Sequence, residues 1–226
     1  MKQSTYVWDP LIRLFHWSLV LAFLISYLTG DELETIHAYS GYLILTLISV
    51  RIIWGFIGTE HARFSNFVRP VPVAISYLRG LFTGNAKKYT GHNPAGGLMV
   101  LALLTSIAIT GLTGLKAYGV EGHGPLASTP TETLDKVILS PIKSSSTPSE
   151  SKDHDNDDDD DHHKNGKYNA HDDDEDELWE ELHELFANLT VLLILLHILG
   201  VYISAFVHKE NLVNAMITGY KKSTKK

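Results

Sequence analysis

Long apolar runs alternate with polar segments along this chain, and the alternation is far slower than in a water-soluble fold. Residues 11–28, 36–57, 96–118 and about 182–207 each reach or approach the roughly 20 apolar residues that cross ~30 Å of hydrocarbon. The runs are too long and too numerous to be core helices of a 226-residue chain. They predict an all-α integral membrane protein, a four-helix bundle. Asp9 and Pro10 supply a cap and a first-turn residue for the first span, and Asn93 and Pro94 do the same for the third. Gly30 and Gly58 punctuate the ends of the first two spans. Between the second and third, Pro70 and Pro72 precede a shorter amphipathic stretch, 73–82, suited to lying in the membrane interface. Gly111 and Gly114 in the third span admit a close neighbour, either a helix or a flat cofactor.

The polar segments are as uneven as the apolar ones. Of the 26 acids, 17 fall within 119–177, so the net charge of −7 describes one loop rather than the whole molecule. Basic residues gather elsewhere: Lys2 and Arg13 at the N-terminus, Arg63, Arg69, Arg79, Lys87 and Lys88 between spans two and three, and five lysines from Lys209 onward. The link between the first two spans carries Asp31, Glu32 and Glu34. By the positive-inside rule both termini and the second loop are expected in the cytoplasm, with the acidic segments outside. The first apolar run holds Arg13 and His16 and no clean cleavage site follows it, so it reads as a retained span. Three regions result: 1–118 with three spans and a cytoplasmic loop, 119–177 as an acidic extracytoplasmic loop, and 178–226 with the fourth span and a basic tail. The low-complexity tract at 153–163 has too little apolar surface to offset its ordering entropy, so disorder is expected there, with order resuming near Leu178.

There is no cysteine, which excludes covalent c-type haem, thiolate-held clusters and disulfides. Twelve histidines remain, and four sit on the apolar helices: His16, His37, His183 and His197. The last two are 14 residues apart on span four, almost four turns at about 3.6 residues per turn, so they share a face at depths roughly 21 Å apart. Span four enters from the outside, which puts His183 level with His37 and brings His197 toward the level of His16. Two pairs at two depths follow, His37 with His183 and His16 with His197, each suited to clamping one haem iron from opposite sides. A lone histidine near an interface is commonly a snorkelling or hydrogen-bonded residue. Four that pair by depth are not accounted for in that way, since ionisable groups inside spans are rare.

Arg51 lies 14 residues after His37 on the same face, deeper in the bundle. As a buried cation it requires an anion, either a propionate of the inner haem or a phospholipid headgroup. Gly41, one turn after His37, makes room for a macrocycle edge or for a packed helix. His61, Arg63, His92 and Asn93 form a polar set near the inner pair, read either as hydrogen-bonding partners for a quinone or the propionates, or as ordinary loop and headgroup contacts.

The sequence also resembles a known family. The runs WDPLIRLFHW at 8–17, HAYSG at 37–41, RIIWGFIGTEHARF at 51–64 and GHNP at 91–94, together with the histidines of span four, resemble the bacterial cytochrome b561 and Ni/Fe-hydrogenase b-type cytochrome family. The resemblance covers about 6–118 and 178–220 and leaves out the acidic insertion. It implies two haem b groups in the bacterial inner membrane, with His16, His37, His183 and His197 as iron ligands, the pairing that depth gives independently. It further implies quinone or quinol as one side of an electron exchange, making the chain an electron-transfer cytochrome acting as, or within, a quinone-linked oxidoreductase. The redox partner stays open among a hydrogenase, a dehydrogenase and a c-type cytochrome; no nucleic-acid partner is expected. The acidic loop suggests three roles: steering a basic electron carrier, binding divalent cations, or simple solvation. A divalent-metal transporter or a partner anchor is therefore the competing reading, although transporters place carboxylates at mid-membrane and the span interiors here have none.

Overall fold

The computed structural model describes residues 3–30, 33–127 and 170–223. Among these, β1 is Gln3–Tyr6, α1 is Pro10–Thr29 and α2 is Glu34–Ile57. The short helices α3 (Phe64–Phe67) and α4 (Val71–Phe82) lead into α5 (Pro94–Val120). The long α6 is Ala170–His208, followed by α7 (Leu212–Thr218) and β2 (Tyr220–Ser223). Among the described residues four helices are long and apolar enough to cross a membrane: Pro10–Thr29, Glu34–Ile57, Pro94–Val120 and Glu177–His208. Each contains or nearly coincides with an apolar run of the sequence. Helix α6, however, begins at Ala170 rather than near Leu178, so its first turns continue into the acidic segment. The tract at 153–163 lies outside the described residues.

Asp9 caps α1 by accepting from the Ile12 amide at 2.9 Å, and Asn93 caps α5 by accepting from the Gly96 amide at 2.7 Å. Helix α1 packs on α2, α2 on α5, and α5 runs along α6. The centre is a small apolar cluster of Ala22, Ile44, Ile48, Leu104 and Ile107, bordered by Phe15, Leu19 and Phe23. Outside it the spans are covered with exposed large apolar side chains, among them Leu14, Phe56, Tyr202 and Phe206. An apolar coat of this kind is stable only where the solvent is itself apolar.

The two ends of the described chain meet, a feature absent from the all-helical expectation. β1 pairs antiparallel with β2, from Gln3 opposite Ser223 to Tyr6 opposite Tyr220. Gly219 makes the turn possible: its positive φ of 85° ends α7, and its carbonyl accepts from the Val7 and Trp8 amides. Both ends of the chain therefore lie at one end of the bundle, as an even number of spans requires. Glu210 fastens the same end, its carboxylate held by Lys88 at 2.7 Å and Lys221 at 2.9 Å.

Candidate haem-binding site

The histidines at the end of the bundle away from β1 and β2, the level expected to be outer, come together. His37, at the start of α2, and His183, on α6, have ring centroids 5.8 Å apart and planes 86° from parallel. Each ring is pinned through Nδ1 to a backbone carbonyl that can only accept: His37 donates to Ser26 O and His183 to Thr110 O, both at 2.9 Å. With Nδ1 carrying the proton, the Nε2 lone pair of each ring is free, which is the arrangement of metal-ligating histidines. Two metal–imidazole bonds of about 2 Å each separate ring centroids by roughly 6 Å, so the observed spacing fits one iron shared by both rings. Glycine placement supports the fit. A Cβ at Gly114 would stand 2.7 Å from the His183 ring, so α5 admits that imidazole because residue 114 lacks a side chain. A Cβ at Gly41, one turn from His37, would meet nothing within 4 Å.

At the inner level His16 and His197 lie within electrostatic reach of each other. Their surroundings differ in kind from those of the outer pair. His16 Nδ1 is buried without a hydrogen-bond partner, and so are Arg13 Nε, Arg51 Nη1 and His92 Nδ1. All four atoms belong to the end of the bundle where the termini meet. A group bringing carboxylates, as haem does, would supply anionic partners for the two guanidinium groups.

Arg51 is buried on the α2 face that also carries Ser40, Ile44 and Ile48. Its Nη2 donates to Ala62 O at 3.2 Å, its guanidinium sits 4.9 Å above the Phe64 ring, and Asp9 is within electrostatic range. Asp9 is a node that sequence reading identified only as a helix cap. Besides Ile12 it accepts from Thr59 Oγ1 and from Trp54 Nε1 at 3.3 Å, tying the start of α1 to the end of α2. Burial alone would push this carboxyl up, but the hydrogen bonds from Thr59, the Ile12 amide and Trp54 outweigh it and hold Asp9 below its ordinary value of 3.8.

The polar set of the second loop divides. His61 and His92 line a cavity of about 180 Å³ together with Glu60, Arg69, Tyr89 and Pro94. Arg63 turns instead to its own loop, donating to Gly58 O at 2.7 Å, and Asn93 spends its carbonyl oxygen on the α5 cap. His92 packs against Trp8 and Phe67, with centroids 4.6 and 4.5 Å away. Burial first, then the Arg51 charge, push its imidazole down to about 3, so it is neutral at physiological pH.

Between the two levels sits a buried hydroxyl cluster. Thr190 is fully buried and meets Ser106 Oγ at 2.8 Å and Thr110 Oγ1 at 3.3 Å, joining α5 to α6. Thr110 is also the residue whose carbonyl holds His183. One sequence signal was available for this cluster, since Thr190 is seven residues from both His183 and His197 and shares their face. At the same end as His37, Glu34, Glu121 and His123 have ligand atoms within 4.8 Å of one another, but all three are exposed.

Comparison with known proteins agrees with this scaffold. The chain is 26% identical over 152 residues to a probable Ni/Fe-hydrogenase B-type cytochrome subunit of Rhizobium leguminosarum bv. viciae, covering 54% of this chain and 63% of that one. It is 26% identical to the protein of the same description from Bradyrhizobium diazoefficiens, covering 54% and 61% of the two chains. The value is 29% for that of Azotobacter vinelandii, covering 54% and 62%. The match thus spans under two thirds of the length of these curated relatives. No solved structure matches the chain. The family described as prokaryotic cytochrome b561 matches residues 7–219, nearly the whole sequence and all four spans. The chain belongs to the prokaryotic cytochrome b561 family, whose members are membrane-spanning b-type haem cytochromes of electron transport.

Proposed function

We propose that the protein is a diheme b-type cytochrome that passes electrons across the bacterial inner membrane between the quinone pool and a redox partner. The observation that carries this reading is the outer histidine pair, with two imidazoles 5.8 Å apart and both Nδ1 atoms committed to backbone carbonyls. His37 and His183 would hold one haem b, and His16 and His197 the other. When bound, each group supplies one-electron acceptance and release at its iron. The chain's own contribution is to fix the rings, keep water out of the bundle and place charge around each site. Ser26 and Thr110 orient the outer ligands, and Arg51 would neutralise a propionate at the inner one.

Both termini and the basic loop are assigned to the cytoplasm, because Arg63, Arg69, Arg79 and Lys87 outnumber the single acid of that loop, Glu60. The cavity beside His61 and His92 is then the candidate for a quinone headgroup, on the cytoplasmic side and next to the inner pair. The hydrogenase subunits among the relatives make a hydrogenase the first partner to test. A reduced-minus-oxidised spectrum and a haem-to-protein ratio test the reading together. A ratio near two is expected, falling to one in His37→Leu or His183→Leu and in His16→Leu or His197→Leu. A protein without b-type absorbance would overturn the function, and two haems surviving any of these changes would overturn the pairing.

A further inference from the structure

Helix α4 has two apolar faces, and the bundle uses one of them. Ala74, Tyr77 and Leu81 are buried; the Tyr77 hydroxyl meets His208 Nε2 at 3.2 Å, and its ring lies 5.8 Å from that of Tyr89. This face docks α4 on α5 and on the end of α6. The second face is made of Val71, Ile75, Leu78 and Phe82, which are 57, 44, 42 and 79% exposed. Their spacing of i, i+4, i+7 and i+11 draws a single stripe along the helix, turned roughly 100° from the buried one. The remaining sector carries Ser76, Arg79 and Gly80, with exposed Val73 as its one large apolar side chain. Helices whose apolar side exceeds what the protein covers, and whose opposite side is polar, lie in the plane of a membrane surface.

The charges at this end indicate which surface. Arg69 precedes α4, Arg79 sits in its last turn and Lys87 follows it, all exposed, while Glu60 is the only acid from Gly58 to Asn93. Lys88 is engaged with Glu210. The four spanning helices place a bilayer beside α4, so the stripe needs no separate partner to be covered. We propose that α4 is a monotopic anchor: Val71, Ile75, Leu78 and Phe82 dip into the acyl boundary of the bilayer, and Arg69, Arg79 and Lys87 engage anionic phospholipid headgroups above it.

The chain has no cysteine, so single cysteines can be placed without background. Ile75→Cys, Leu78→Cys, Phe82→Cys and Ser76→Cys, each carrying a nitroxide label on the full chain, would be reconstituted in nanodiscs of phosphatidylcholine alone or with phosphatidylglycerol. Collision with oxygen, which partitions into lipid, is compared with collision with a water-soluble nickel chelate. The expected result is an oxygen-to-nickel accessibility ratio several-fold higher at residues 75, 78 and 82 than at residue 76, rising further with phosphatidylglycerol. Nickel access at residue 75 equal to that at residue 76 would put the stripe in water and overturn the anchor. Shielding of residues 75, 78 and 82 from both reagents would mean protein covers the stripe, a second copy or another subunit, and would overturn it equally. A ratio unchanged by phosphatidylglycerol would overturn the role given to the three cations.

Discussion

The outer and inner ends of the bundle solve the same problem in opposite ways. At the outer end the protein completes its own hydrogen bonds: His37 and His183 are pinned to Ser26 and Thr110, and their rings already stand at the spacing of a shared iron. At the inner end Arg13, His16, Arg51 and His92 each keep a buried polar atom without a partner. Since an unsatisfied buried polar group costs on the order of 1–3 kcal/mol, such a cluster is tolerable only where something else completes it. The outer site is prepared by backbone geometry, and the inner one is prepared by charge and polarity.

That contrast predicts that the outer site fails by steric change and the inner site responds to charge change. The largest effect is expected at Gly114. A leucine there would drive its Cβ into the His183 ring, and the ring cannot retreat without giving up Thr110. With the two haems proposed, Gly114→Leu should lower the haem-to-protein ratio from two to one and leave a spectrum matching that of His183→Leu. An intact ratio would show that the outer ring has freedom the packing denies it. Gly41 sharpens the test, since a Cβ added there meets no other atom within 4 Å. Gly41→Ala should leave the fold and the proposed inner haem intact, so any loss it causes reads out the proposed outer macrocycle alone.

At the inner end, Arg51→Leu should leave both proposed haems in place and lower one midpoint potential by tens of millivolts. Loss of a nearby cation disfavours the reduced, more negative state, and about 59 mV corresponds to a tenfold change for one electron. Redox titration followed optically would resolve it. An unchanged potential would mean that the Arg51 charge is spent on Asp9 and the Phe64 ring rather than on the haem.

Much of this contrast was legible in the sequence because membranes make depth readable. Span limits follow from apolar length, and two histidines separated by 14 residues must share a face, so the pairs could be named before any distance was known. What periodicity cannot supply is the rotation of one helix against another. The meeting of Thr190 with Ser106, 84 positions away, and of Asp9 with Trp54 and Thr59 depends on that rotation. So does the cavity, which took His61 and His92 from the polar set and left Arg63 and Asn93 to local bonds. The β1–β2 ribbon escaped notice for another reason: four-residue strands rich in polar residues carry almost no alternation signal, and only the pairing of the two ends creates them.

Asp9 offers the smallest and most selective test, because it holds the inner end together without being a ligand. In Asp9→Asn the cap survives, since asparagine caps helices as well as aspartate. The second oxygen, which accepts from Thr59 and Trp54, becomes an amide donor facing two donors. A loss of about 1.5–3 kcal/mol is expected at pH 7, the range for a hydrogen bond to a charged group. The pH dependence follows from the direction of the shift. The native carboxyl titrates below its ordinary value of 3.8, so the unfolded chain takes up the proton first as pH falls. Stability from this ion is fully present above about pH 4 and drains away as pH drops through the native value. Thermal unfolding in detergent should therefore separate wild type from Asp9→Asn at neutral pH and bring them together once the pH falls below the lowered native value. If the gap persists in acid, the tether works through shape rather than charge, and the inner end is held by packing in the way the outer end is.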